Sequence, residues 1–265
     1  MSIRPSTICH FIWIGTSDLV RWVLYVMAML YSFLVEAINP ATWKYPVRDR
    51  LARQILFTGV QAIPFTILVA LFAGASIFLQ CLFWLQHIGE MEFLYRMVSA
   101  LLIREAAPFM ATFIIIFASA SATTTELATM KISGQVELLR AQGIDTFRFL
   151  AVPRILGFGI SALGLSILFC AVAMLAAAIG FLSLTDLMRG AFFRGVMSSL
   201  SAVDIFALVS KSFLPGIFAG IVCSFEGLRT SGAATEIPKA VSRAMLRSVT
   251  VAVFIWGVIV IAVYA

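Results

Sequence analysis

The sequence predicts an all-α integral membrane protein: an N-terminal interfacial helix, five transmembrane helices, and a cytoplasmic amphipathic helix between the second and third spans. Three observations predict it. Of the 265 residues, 62% are hydrophobic and only 12% charged, about half the charged fraction of a soluble domain. The apolar residues gather into runs of bilayer length, which takes about 20 residues of helix. Charged residues fall mostly between these runs, with basic ones concentrated on alternate connections. The net charge of +6 is thereby explained by topology. No basic tract with interleaved aromatics points to nucleic acid. Two units are expected, residues 1–54 (interfacial helix and basic linker) and residues 55–265 (transmembrane domain).

Phe11 to Ala37 is apolar but interrupted by Asp18, Arg21 and Glu36. The uncharged run Trp22 to Val35 is too short to span, so this helix should lie in the interface. It lacks the small-residue cleavage site of a signal peptide. Lys44, Arg48, Arg50 and Arg53 then form a basic linker. Ile55 to Leu85 is the first span, with Pro64 removing a helical hydrogen bond near its start. Its run Ala73-Gly74-Ala75-Ser76 permits close helix approach, either within the chain or to a second copy.

Met97 to Thr123 is the second span and carries Arg104, Glu105 and Pro108. Glu126 to Ala141 follows as the amphipathic helix, with Leu127, Met130, Val136 and Leu139 among polar residues. Gly143 suits its stop and Asp145 the cap of the next helix. The third span is Phe149 to Leu182. Residues 183–203 form a mixed connection with room for a short helix, and Asp204 to Phe225 is the fourth span, with Lys211, Pro215 and a Gly216/Gly220 small-residue pair. A polar loop, Glu226 to Arg247, leads to the last span, Ser248 to Tyr264. The basic residues of alternate connections put the N-terminus and the amphipathic helix in the cytoplasm and the C-terminus outside.

Cys9, Cys81, Cys170 and Cys223 lie far apart, without disulfide or metal spacing, and read as small buried hydrophobes. His10 and His87 are solitary. No phosphate-binding Gly-x-x-x-x-Gly-Lys-Ser/Thr loop occurs, so any nucleotide energy must come from a partner. No cofactor or metal is expected on this chain.

Arg104 and Glu105 stand inside the second span, where an unpaired charge costs at least about 2.5 to 3.5 kcal/mol. Adjacent helical residues point roughly 100° apart, so a direct pair between them is awkward. They either pair with other helices or line a polar cavity. Lys211 poses the same problem in the fourth span; Asp204, at that span's outer end, is a cavity residue or an interfacial anchor. The Glu126 helix is either a solvated connector or a handle docked in a groove of a cytoplasmic protein.

In order along the chain, Arg104-Glu105-Ala-Ala-Pro108, Glu126-Leu-Ala-Thr-Met130-Lys131, Gln135, Gly143-Ile-Asp145, Pro153-Arg154 and Lys211-Ser212 resemble the successive signatures of the MlaE/YrbE permease family. The match runs from about residue 50 to the C-terminus. These are the membrane subunits of ABC transporters that work with MCE proteins on lipids. The resemblance implies a homodimeric, multi-pass protein of the bacterial inner membrane. The partners it implies are a cytoplasmic ABC ATPase, a periplasmic ring of MCE-domain subunits and a small cytoplasmic accessory subunit, with phospholipid as cargo. It places Arg104 and Glu105 in or near a lipid cavity; Lys211 and Asp204 are candidates for the same cavity from their own positions in the fourth span. Ile77, Trp84 and Ile88 become acyl-chain contacts by register. Glu126, Met130, Lys131, Gln135, Leu139 and Arg140 become the ATPase-coupling residues. Two departures stand out: family members carry Gly-Arg-x-Gly-Ser where this chain reads Phe117-Ala-Ser-Ala-Ser121, and a charged position of the last span is apolar here, near Ile255. On this reading the chain performs no covalent chemistry. The competing expectation is a membrane enzyme acting on lipid with Glu105 as acid or base, although no Ser or Cys has an evident base beside it.

Overall fold

The computed structural model describes residues 5–42, 45–88, 96–182 and 188–264, and nearly all of them are helical. The helices are α1 (Pro5–Ile38), α2 (Tyr45–Thr58), α3 (Ile63–Ile88), α4 (Arg96–Ile132), α5 (Gln135–Ala141), α6 (Val152–Leu182), α7 (Met188–Ser199), α8 (Ala202–Arg229) and α9 (Ile237–Tyr264). Among the described residues, six stretches are long and apolar enough to cross a membrane. Lipid offers backbone groups no partners, so helices that satisfy their own hydrogen bonds are the expected solution.

The centre is α6 and α8, which pack on each other and against most of the rest. Glycines set how closely. A Cβ added at Gly74 would stand 2.2 Å from the Ala173 carbonyl oxygen, and one at Gly220 would stand 2.9 Å from Ile155 Cα. The small run of the first span therefore serves contact within the chain at Gly74, and the Gly216/Gly220 pair likewise faces α6. Around this centre large side chains face outward, among them Phe72, Phe206 and Phe254, each about two-thirds exposed or more. In a bilayer these are satisfied by acyl chains.

Pro64 falls in the first turn of α3, just after a 3-10 step at Val60–Ala62. There its missing N–H removes no necessary bond, and the predicted loss of a hydrogen bond becomes a change of turn between α2 and α3. α4 contains two π segments, Ser99–Ala106 and Ile116–Ala120. The second covers the residues that replace the Gly-Arg-x-Gly motif; Ser119 there is buried, its hydroxyl 3.5 Å from the Thr58 carbonyl.

Two expected boundaries change. The helix expected over Glu126 to Ala141 is two pieces. Glu126 to Ile132 prolongs α4, and the chain turns at Gly134, whose φ of 76° suits glycine, before α5 begins. The polar loop expected over Glu126's counterpart at the other connection, Glu226 to Arg247, is also mostly helix: α8 runs on to Arg229 and α9 starts at Ile237. Long basic side chains at helix ends keep their heads in water while the backbone stays helical, so Arg243 and Arg247 were poor markers of a loop.

Arg53, Lys131, Arg154, Arg229 and Arg247 mark one end of the bundle, here called the basic end. α1 is tied to it twice. The Trp22 indole donates to Glu226 at the end of α8 (3.2 Å). Arg148, in the π turn Phe147–Ala151 that opens α6, donates two hydrogen bonds to Glu36 at 2.8 and 3.0 Å. The two tethers are about 21 Å apart along α1 at 1.5 Å per residue. Since both fix it to the same end, this part of α1 runs across the spans rather than beside them, as an interfacial helix does.

Candidate functional site

The charged residues of α4 and α8 meet inside the bundle. α4 and α8 run parallel, in contact from Arg104 and Asp204 at one end to Thr124 and Cys223 near the other, so Arg104 and Glu105 meet Asp204 and Lys211 in order. Arg104 Nε lies 2.7 Å from Asp204 Oδ1, and its Nη2 donates to Oδ2 at 3.1 Å. Lys211 Nζ donates to Glu105 Oε1 at 2.8 Å and to the Arg104 carbonyl at 3.1 Å. Asp204 and Lys211 are seven residues apart, about two turns of one face of α8. A π turn widens the helix and reduces the angle between successive side chains, which lets two adjacent residues of α4 both reach α8. The segment Ser99–Ala106 supplies that turn.

Burial divides the four into pairs of unlike roles. Lys211 is fully buried and Asp204 almost so, whereas the side chains of Arg104 and Glu105 are 31% and 35% exposed. Asp204 is further held by a capping box with Ser201, its carboxylate accepting from the Ser201 N–H at 2.9 Å. Lys211 sits 5.4 Å from the centre of the Trp256 ring, a cation–π contact. Glu105 Oε2 is buried and has no hydrogen-bond partner among the described residues. The buried charges therefore fix the geometry, while the Arg104 guanidinium and the Glu105 carboxylate stay part-exposed.

Of the predicted acyl contacts, Ile77 is half-buried against the core cluster that holds Leu102 and Ile103. Trp84 is 40% exposed and stacks edge-on with Phe83. Ile88 closes α3, and its side chain lies outside the described residues, as does that of His87. Neither Ile77 nor Trp84 touches the charged cluster in any contact described for it.

At the basic end, the apolar positions of the predicted coupling helix do not wait for a partner. Leu127 and Val136 are fully buried with Leu150, and Met130 and Leu139 pack against them. That part of the expectation is overturned: the turn between α4 and α5 folds the apolar face back on the chain. What stays outward is Ser133, Gly134, Gln135, Leu138 and Arg140. Glu126 pairs with Arg154 at 2.6 Å, and Lys131 closes the turn onto Glu137. Gly143, at φ 77°, ends α5, and the Asp145 carboxylate caps the next helix by accepting from the Phe147 N–H at 2.9 Å, as the sequence predicts.

The hydrogen bond from Lys131 holds the Glu137 carboxyl below the usual carboxylate range. A depressed folded-state pKa gives a contribution that is present above the ordinary value and lost only as pH falls through the lowered one. The turn should therefore persist in mild acid. Amide exchange at Gly134 and Leu138, whose N–H groups donate to the Lys131 and Gly134 carbonyls, is expected to stay slow until pH drops below the ordinary glutamate range, and in Glu137→Gln to be faster at neutral pH.

One cluster escaped the sequence reading. Glu226 is 1% exposed and is approached by the Trp22 indole, by Arg247, and by Arg243 at 3.5 Å. A signal did exist. Glu226 falls three residues after Cys223 and beside Gly227, in the stripe of α8 that includes Ala207, Lys211, Pro215 and Ala219, all buried. Extending that 3.6-residue period would have kept Glu226 on the helix.

Six helices long and apolar enough to cross a membrane among the described residues, with paired charges held between them, define a polytopic α-helical membrane protein. The chain belongs to the MlaE permease family, whose model, described as "Permease MlaE", matches residues 51–263. It is 26% identical over 208 residues to a probable ABC transporter permease protein of Synechocystis sp., covering 78% of this chain and 79% of that one. It is 26% identical over 200 residues to the intermembrane phospholipid transport system permease protein MlaE of Haemophilus influenzae, covering 75% of each. It is 24% identical over 207 residues to protein TRIGALACTOSYLDIACYLGLYCEROL 1 of Arabidopsis thaliana chloroplasts, covering 77% of this chain and 58% of that one.

Proposed function

We propose that this permease is the membrane subunit of an ABC transporter that moves phospholipid between the inner membrane and a periplasmic ring of MCE proteins. Two copies would form the cavity, and a separate cytoplasmic ATPase, with a small accessory subunit, would supply the energy. The chain itself binds no cofactor and makes no covalent bond in this scheme. The observation that carries the proposal is the part-exposed Arg104 and Glu105 anchored by buried Asp204 and Lys211. Maintaining four charges within apolar helices is costly unless they do something polar there, and a phospholipid headgroup is a polar group already resident in the membrane.

In this reading the ATPase grips the turn between α4 and α5, through Lys131, Gln135, Leu138 and Arg140. Because Leu127 packs on Gly227 of α8, with a Cβ at Gly227 reaching only 2.7 Å from it, movement of the turn is passed directly to the helix that carries Asp204 and Lys211. The orientation with the basic end in the cytoplasm follows from the distribution of Lys and Arg.

The test is lipid carried through purification of the intact complex. Arg104→Ala and Glu105→Ala are each expected to lower bound phospholipid several-fold while the ATPase stays stoichiometric. Leu138→Asp is expected to release the ATPase and leave the lipid. Normal lipid content in both charge variants would refute the cavity, and a full ATPase complement with Leu138→Asp would refute the handle.

A further inference from the structure

We propose a second lipid site, at the basic end, that holds one anionic phospholipid by its phosphate on Arg229 and an acyl chain along α1 and α8. Two recesses share Arg229 as a common wall. One, of about 310 Å³, is polar and includes Arg243 and Arg247 around Glu226, with the Thr230 and Ser231 hydroxyls. The other, of about 470 Å³, is mainly apolar, with Tyr25, Met29, Phe225 and Leu228 on its walls. A cationic pocket and an apolar groove that meet at one arginine match the polarity of a phospholipid, headgroup on one side and acyl chain on the other.

The charge balance favours an anion. Three guanidiniums, those of Arg229, Arg243 and Arg247, line the polar recess with Glu226, which already takes contacts from Arg243 and Arg247. Glu236, also on the polar wall, is occupied by Lys239 at 2.7 Å. No carboxylate among the described residues pairs with Arg229, whose described contact is the face of Phe225, 5.8 Å from the ring centre. A phosphate diester would receive charge-assisted hydrogen bonds there, and Arg is suited to that geometry.

Position favours a lipid over a soluble ligand or a protein. α1 crosses the ends of the spans at this level, held by the Trp22–Glu226 and Glu36–Arg148 contacts. The groove beneath Tyr25 and Met29 therefore lies at headgroup depth, where a chain rising from the bilayer and its own phosphate can reach both recesses. This site is separate from the Arg104 cluster, at the other end of α8, and does not depend on it. A lipid bound here would tie α1 to α8 and thus bear on the helix that links the turn to the charged cluster.

The experiment uses the intact complex in phosphatidylcholine nanodiscs containing a minor fraction of phosphatidylglycerol with a photoactivatable acyl chain. Labelled peptides are expected to contain Tyr25 or Met29 and Phe225. Arg229→Gln should lower that labelling about tenfold, the loss of a charge-assisted phosphate contact, and Arg229→Lys should retain most of it. Arg229 is exposed, so neither change should alter the melting temperature. Arg104→Ala should leave this labelling unchanged, which separates the site from the cavity. Equal labelling in Arg229→Gln would overturn the proposal. So would equal labelling by the same probe on phosphatidylcholine, displacement by millimolar inorganic phosphate alone, or capture of a partner protein in place of the lipid at these residues.

Discussion

Lys211→Met is expected to lower the stability of the folded chain by about 1 to 3 kcal/mol, less than breaking a fully buried ion pair because the Glu105 side chain left behind is 35% exposed. Lys211 is fully buried, and its ammonium is shared by Glu105 and the Arg104 carbonyl. Without it the Glu105 carboxylate, one oxygen of which already lacks a partner among the described residues, would be left beside apolar helices. The double variant Lys211→Met with Glu105→Gln should recover much of that loss, since no net charge then remains to be compensated. Thermal unfolding in detergent measures both. The pair also separates structure from transport: the double variant should be stable and yet carry less phospholipid. Recovery of lipid along with stability would mean that the charges serve folding alone. An unchanged melting temperature in Lys211→Met would show that the buried pair contributes nothing.

Gly216→Leu should be comparably severe. A Cβ at Gly216 would stand 2.8 Å from Ala162 Cβ and 3.0 Å from the Phe158 carbonyl oxygen. The carbonyl belongs to the α6 backbone and cannot turn aside, so α6 and α8 must separate along the interface that organises the bundle. Overpacking of this kind costs roughly 1 to 3 kcal/mol, sometimes more, and the Leu side chain enlarges the clash. Reduced yield and a lower melting temperature are expected, with Gly216→Ala milder. Gly164 and Gly257 supply controls, because a Cβ at either meets nothing within 4 Å. Alanine there should be neutral or slightly stabilising through helix propensity. Equal effects at Gly216 and Gly164 would contradict the packing account.

The charged cluster was only half legible in the sequence. Arg104, Glu105 and Lys211 drew notice because a charge inside an apolar run is costly wherever it points. Their pairing was not readable: Arg104 finds Asp204, a residue 100 positions away. The expected awkwardness of a direct Arg104–Glu105 pair holds, and both side chains turn to α8. The basic end was less legible. The turn at Gly134 was missed because the alternation of polar and apolar residues continues across it, and Glu226 was assigned to a loop because it is charged. Both errors came from reading side-chain polarity where backbone conformation and burial decide.

By itself the sequence determined that this chain is a bundle of membrane helices, which connections are basic, and which few charges are out of place. Those properties are local: the bilayer selects for run length and apolarity, residue by residue. Only the tertiary structure decided which charges meet, that Gly74 and Gly216 face α6, that α1 lies across one end, and that the turn buries its own apolar face. These depend on distant segments sharing space, and helices of similar composition can be packed in many ways that their sequences alone do not distinguish.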